Sequence, residues 1–207
     1  MVSSPPERLS AERPLLLGSA SPRRREMLTA VGLPLAIVAP RADETVGPND
    51  APARYLERVT AAKLAAAVAL ARAATASFGA VLVADTVVVS EGGIIVDKPA
   101  DAEAARRALL WLSGATHAVV TRFVIGAADG GVLDAESVVT RVVMRALTSH
   151  EVDAYVASRE GLDKAGGYGI QGGAASFVTR LEGSYTNVVG LPLAEVLTAL
   201  RSLGLWD

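Results

Sequence analysis

The chain has 207 residues, 51% of them hydrophobic, few aromatics and a formal net charge of −2. This suits one domain of moderate size with an Ala-, Val- and Leu-rich packed core, and gives no electrostatic reason to expect stable nucleic-acid or acidic-membrane binding. The absence of cysteine excludes disulfides, thiolate catalysis and zinc–thiolate sites and fits a reducing, cytoplasmic setting, while His117 and His150 are too few for a multi-histidine metal centre.

Residues 1–14 carry charges of both signs without an apolar core and read as a loose N-terminal tail rather than a signal peptide, leaving residues 15–207 as the folded domain. Leu15–Gly18 reads as a short buried strand. A helix follows, with Ser21 as its cap, Pro22 at its first position and Gly32 past its end. Leu35–Val38 is a second strand, and Gly47, Pro48, Asn49 and Pro52 mark a loop. An Ala-rich helix runs from about Pro52 to Ala73. Its longest apolar segment falls well short of the ~18 residues of a membrane span. Ala80–Val89 and Ile94–Val96 are strands joined by the hairpin signal Glu91-Gly92-Gly93, and Asp101–Ser113 is a helix closed by Gly114.

Two long β-type runs, His117–Ala127 and Val132–Ala146, are joined by Asp129-Gly130-Gly131. Thr148 with Glu151 forms a capping box opening a helix to about Ser158. Gly161–Gly173 is too glycine-rich for regular structure, Ala175–Leu181 reads as a strand, and Pro192–Leu203 is the closing helix. Alternating strands and helices followed by antiparallel hairpins predict an α/β fold, a mixed sheet with helices on its faces.

Three segments carry candidate chemistry. In "LLLGSASPRRREML" a strand, a small-residue turn and a helix start make an anion cradle. Ser19 and Ser21 add hydroxyls, and Arg23 and Arg24 add guanidinium forks suited to phosphate. Arginines in a first turn, where the helix dipole is positive, make sense if the ligand brings the negative charge; otherwise this is a capped surface helix with solvated arginines. In "VLVADTVVV", Asp85 and Thr86 interrupt an apolar strand. A buried carboxylate there needs a cation, a metal or several donors. In "LDKAGGYGIQGGAASF", five glycines allow close approach to a ligand, and Lys164, Tyr168 and Gln171 are spaced as possible contacts. Asp43-Glu44, Lys63 and Asp97-Lys98-Pro99 could share a site with Asp85 if the fold brings them together. "GSYTNVVGLPL" combines a turn, an apolar segment and a proline-opened helix, and reads as a packing element.

Together these segments resemble the Maf family, the septum-formation-inhibitor-like nucleotide pyrophosphatases. The marks are Ser19-Ala20-Ser21-Pro22-Arg23-Arg24, Asp43-Glu44, Lys63, Ala84-Asp85-Thr86, Lys98-Pro99, the run from Asp163 to Gly172 and the run from Asn187 to Pro192. The resemblance implies a fold similar to inosine triphosphate pyrophosphatases, with two lobes around a cleft. It also implies hydrolysis of a nucleoside triphosphate to the monophosphate and pyrophosphate with Mg²⁺ or Mn²⁺, a house-cleaning role and a homodimer. Carried over residue by residue, Asp85 resembles the proton acceptor, or else a metal ligand. Ser19, Arg23, Arg24, Lys63 and Lys98 match phosphate-side positions, and Asp43 or Glu44 matches the acidic position near the metal. Arg23, Thr86 and Gln171 match the branch acting on dTTP and UTP rather than the one acting on 7-methyl-GTP. Ala62 and Asp97 depart from the usual pattern, which has Glu before the lysine and Gly or Glu before Lys-Pro. The 7-methyl-GTP branch or a broader nucleotide range is the alternative among enzymes, and a non-catalytic nucleotide-binding regulator of septum formation is the alternative from another class.

Overall fold

In the computed structural model, which describes residues 8–47 and 50–207, a seven-stranded mixed sheet is assembled in two styles. The first half builds parallel pairs through helical crossovers. β1 (Leu15–Gly18) leads through α1 (Pro22–Ala30) to β2 (Leu35–Val38), and α2 (Pro52–Ala73) returns the chain to β3 (Ala80–Val89). The second half is antiparallel. β4 (Ile95–Val96) folds back on β3, α3 (Ala102–Leu112) crosses over, and β5 (Thr116–Ala127) and β6 (Val132–Met144) form a long hairpin. After α4 (Ser149–Ala157) and the glycine-rich segment, β7 (Val178–Glu182) pairs with β6, and α5 (Tyr185–Val189) and α6 (Leu193–Ser202) end the chain. The sheet order is β2-β1-β3-β5-β6-β7, with β4 beside β3.

The alternation of β3 decides what each face holds. Val81 and Val83 point to one face and pack with Leu64, Ala67 and Val68 of α2. Val87 and Val89 lie further along that face with Tyr55, Leu56 and Val59. Asp85 has the same parity, so it falls between the two apolar clusters. On α2 the buried stripe runs through Val59, Lys63, Leu64 and Ala67, which brings Lys63 to the same level. The opposite face carries Leu82 and Ala84, packed with Leu28 of α1, Phe123 and the α6 residues Val196 and Leu200. A separate cluster around Val88, Leu109, Val119, Tyr155 and Tyr168 fills the other end of the sheet. Each buried Val or Leu contributes about 1.5–3 kcal/mol relative to exposure.

Along one edge β3 is covered throughout by β5. Along the other it pairs with β1 only at Ala80–Leu82 and with β4 only at Val88 and Val89. Residues 83–87 therefore present an open edge just beyond the carboxyl end of β1, where α/β sheets place their ligand crevices. Gly18 closes β1 under this gap. A Cβ there would meet Val83 Cγ1 at 2.8 Å and Ala67 Cβ at 2.9 Å, so only glycine lets the strand end pass beneath α2.

Several expectations need adjustment. Residues 8–14 are docked rather than loose. Leu9 is buried in the core, its N–H donates to Leu205 O at 2.9 Å, and Arg8 pairs with Asp207. Residues 1–7, Pro48 and Asn49 lie outside the described residues. Ser21 stands at the α1 N-cap, but its hydroxyl makes no capping bond; its N–H instead donates to Ser19 Oγ at 3.2 Å. Gly32 does terminate α1, with φ of 78°, and the Thr148–Glu151 capping box forms in full. The predicted strand Ala175–Leu181 starts only at Val178, because Gly173–Phe177 winds into a 3₁₀ turn that seats Phe177 edge-on against Tyr155. No described helix is long and apolar enough to cross a membrane.

Candidate active site

The open edge of β3 forms one wall of a cavity of about 580 Å³, within the range of small-ligand sites. Its other walls are the β1–α1 turn, the glycine-rich segment and the start of the α5–α6 connection. Of the residues singled out in the sequence, Ser19, Ser21, Arg23, Arg24, Glu44, Lys63, Asp85, Thr86, Lys98 and Gln171 all line it, as do Lys164 and Tyr168. Asp43 does not. Its exposed carboxylate accepts the Thr45 N–H at 2.9 Å, away from the cavity.

A charge ladder crosses the floor. Asp85 Oδ1 accepts from Lys63 Nζ at 2.6 Å, and both residues are buried, with 5% and 7% exposure. The same ammonium lies 2.7 Å from Glu44 Oε1, and Glu44 Oε2 accepts from Lys98 Nζ at 2.8 Å. Burial works against the Glu44 charge, but the two lysines outweigh it and hold the carboxyl at about 2. The requirement that a buried Asp85 find a cation is thus met by Lys63, the lone lysine of the α2 stripe.

Arg23 and Arg24 are adjacent but serve different surroundings. Arg24 is buried and bonded on all three nitrogens to the protein. Its Nε donates to Gly190 O at 2.8 Å, one terminal nitrogen donates to Ala84 O at 2.8 Å and Ser19 Oγ at 3.3 Å, and the other donates to Thr86 Oγ1 at 3.1 Å. Ala84 O belongs to the open edge of β3, so the guanidinium replaces a missing strand partner. Burial pulls this guanidinium below its ordinary range, opposed by the carboxylates of Asp85 and Glu44. Arg23 is half-buried and faces the cavity. Its charge helps hold the Asp163 carboxyl down, together with the closer Lys164 ammonium, against the opposing effect of burial. Arg25 is exposed and off the cavity.

Thr86 continues the network inward. Its hydroxyl shares a 2.8 Å hydrogen bond with Thr121, whose hydroxyl also donates to Asn187 O at 3.2 Å. The Asn187 amide donates to Val119 O and Thr140 Oγ1, both at 3.0 Å, fixing α5 beneath the cavity. The expectation that "GSYTNVVGLPL" packs is realised through this polar anchor. Tyr168 backs the glycine-rich wall by a 2.7 Å bond between its hydroxyl and His117 Nε2, and burial pushes His117 down to about 4. Thr121 and Glu160 carry no sequence signal of their own; Thr121 acquires its role from Asn187, 66 residues further along the chain.

No group of three or more His, Cys, Asp or Glu side chains placed to hold a metal ion exists among the described residues. Asp85 and Glu44 nonetheless put two hard carboxylates on one cavity wall, joined through Lys63. That set fits a Mg²⁺-like ion, which is usually held by one or two carboxylates plus substrate phosphates and retained waters. Free first-turn N–H groups of α1, Ser19, Arg23 and Lys98 make the same cavity receptive to a polyanion.

Comparison with known proteins shows the family. The family described as Maf-like protein matches residues 14–203. The chain is 45% identical over 193 residues to the dTTP/UTP pyrophosphatase of Hahella chejuensis, covering 93% of this chain and 94% of that protein. It is 46% identical over 194 residues to the dTTP/UTP pyrophosphatase of Moorella thermoacetica, covering 93% and 97%. The enzyme of the same name from Geobacter metallireducens is 44% identical over 191 residues, covering 92% and 96%. With the family match running over residues 14–203 and nearly full-length similarity to these relatives, the chain belongs to the Maf family.

Proposed function

We propose that this protein hydrolyses dTTP and UTP to the nucleoside monophosphate and pyrophosphate. The observation that carries the reading is the buried Asp85–Lys63 pair, which faces the same cavity as Arg23, Lys98 and Gln171. The relatives named dTTP/UTP pyrophosphatase support it. The triphosphate lies against the N-terminal turn of α1, where Ser19 and the first-turn amides meet phosphate oxygens and Arg23 and Lys98 balance their charge. Lys63 holds Asp85 by Oδ1, leaving Oδ2 to take a proton from the water that attacks the α-phosphorus. The new O–P bond forms as the bond from the α-phosphorus to the α–β bridging oxygen breaks, and pyrophosphate departs. Its growing charge is met by the cationic side chains. Mg²⁺ or Mn²⁺, when bound, would be held by Glu44 and Asp85 and would add charge neutralisation on the phosphates.

Gln171 supplies the base selection. Uracil and thymine present a carbonyl–imide–carbonyl edge, and a side-chain amide offers the needed donor and acceptor. Thr86 contributes from the floor, with its hydroxyl already taken by Arg24 and Thr121. A homodimer in the cytoplasm belongs to the same proposal; the cysteine-free composition fits a reducing compartment, and light scattering after size exclusion tests the dimer. The enzymatic test is kcat/KM for dTTP, UTP, CTP and 7-methyl-GTP on the native protein and on Gln171→Glu. Preference for dTTP and UTP is expected, with the substitution lowering these two far more than 7-methyl-GTP. A native preference for 7-methyl-GTP, or an equal loss on all four, overturns the reading.

A further inference from the structure

Glu160 has no part in the chemistry above, yet its carboxylate sits at the centre of the glycine-rich wall. The backbone turns sharply just before it, since Arg159 adopts φ of 61° at the end of α4. That turn directs Glu160 under the segment 169–173. Its Oε2 accepts the Gly173 N–H at 2.9 Å, and its Oε1 accepts the Tyr155 hydroxyl at 3.0 Å. The Tyr155 oxygen in turn accepts the Gly169 N–H at 3.0 Å. Both ends of a five-residue stretch are therefore fastened to one Tyr–Glu unit, and Gln171 is its middle residue. The wrap is tight: a Cβ on Gly172 would lie 2.1 Å from Glu160 Oε1. Among the described residues nothing hydrogen-bonds the Gln171 amide, so the point from which it enters the cavity follows from the backbone that Glu160 and Tyr155 fasten at residues 169 and 173.

We propose that Glu160, acting with Tyr155, is a positioning residue for base selection, holding the 169–173 loop so that the Gln171 amide meets the pyrimidine edge. The inference rests on the reading of Gln171 as the base-contacting residue. A binding site that recognises one hydrogen-bonding edge discriminates only while its polar groups are held in register. Loss of the clip should thus resemble loss of Gln171 itself.

The test measures kcat and KM separately for dTTP, UTP and CTP, with thermal unfolding of each variant. The variants are Glu160→Ala, Glu160→Gln, Tyr155→Phe, Gln171→Ala and the double variant Glu160→Ala/Gln171→Ala. Glu160→Ala should raise KM for dTTP and UTP by about tenfold or more, change kcat less and narrow the gap to CTP, as Gln171→Ala does. Glu160→Gln, which keeps one acceptor for Gly173 N–H, should recover part of the loss. The double variant should be no worse than Gln171→Ala, because the two residues act through one contact. Equal loss on all three nucleotides, or a double variant whose losses add, overturns the inference. Should Glu160→Ala fail to fold, Tyr155→Phe decides in its place, since it removes the hydroxyl and keeps the ring against Phe177. If Gln171→Ala loses discrimination while Glu160→Ala and Tyr155→Phe retain it, only the positioning inference falls. If Gln171→Ala leaves discrimination unchanged, the base-reading role falls and the inference with it.

Discussion

Replacing Arg24 with alanine should unsettle the fold before it touches catalysis. The side chain is 8% exposed and makes three well-formed bonds, to Gly190 O at 2.8 Å, Ala84 O at 2.8 Å and Thr86 Oγ1 at 3.1 Å. Hydrogen bonds from a charged donor contribute about 1.5–3 kcal/mol each, and an orphaned buried carbonyl adds its own penalty. Cavity water can refill part of the space, so the low end applies to each bond and the total comes to about 3–5 kcal/mol. For a domain of this size that corresponds to a Tm lower by roughly 6–20 °C. Arg23→Ala is the control: this neighbour's side chain makes no hydrogen bond to the described residues, so it should keep the native Tm while weakening triphosphate binding. Differential scanning calorimetry of both variants, beside KM for dTTP, reads the two effects. An Arg24→Ala protein with native Tm but lost nucleotide binding would refute the argument and return Arg24 to a direct phosphate role.

Asp85→Asn should fold normally, since an amide oxygen can still accept from Lys63, and should lose about 10²–10⁴-fold in kcat as expected for a missing general base; near-native turnover would remove Asp85 from that role. His117 gives a pH signature. Its pKa falls from 6.5 to about 4 on folding, so the unfolded chain binds the proton first. Its contribution is therefore complete above about pH 6.5 and is lost as pH falls toward 4, by up to about 3 kcal/mol. His117→Gln should flatten that part of the stability profile in urea titrations; an unchanged slope would mean the imidazole is not the group being titrated.

Much of the fold was legible because local signals and packing agreed. The β3 run, its lone acid and the Ala-rich α2 each announced themselves by period, and Lys63 stood out as a cation in an apolar stripe. The same alternation that hides Val83 and Val87 turns Asp85 toward Lys63, so this pair follows from two periodicities meeting. What escaped the sequence depends on partners remote in the chain. The first-turn placement of Arg24 beside a helix start gives it phosphate-side chemistry in the sequence, and it does line the cavity; its protein partners are not legible there. Only the fold places Gly190 O, 166 residues away, and the open-edge carbonyl of Ala84 around it. Leu9 lay in a charged segment with no periodic neighbours, yet the C-terminal Leu205 carbonyl gives its backbone a partner. Val178–Glu182 began later than its β-type composition suggested, because Phe177 is drawn into the Tyr155 cluster. Glu160 reads as an ordinary surface acid until the glycines wrap round it. Asp43 and Glu44 were indistinguishable as neighbours; the α2 lysine reaches only Glu44.

The most direct test of the whole account is hydrolysis of dTTP by the purified protein with Mg²⁺ in oxygen-18 water, followed by mass spectrometry of both products. Attack on the α-phosphorus by a water activated at Asp85 predicts dTMP carrying one labelled oxygen, unlabelled pyrophosphate, and no turnover in Asp85→Asn beyond the residual rate. Label in pyrophosphate, or dTDP and inorganic phosphate as the products, would contradict it.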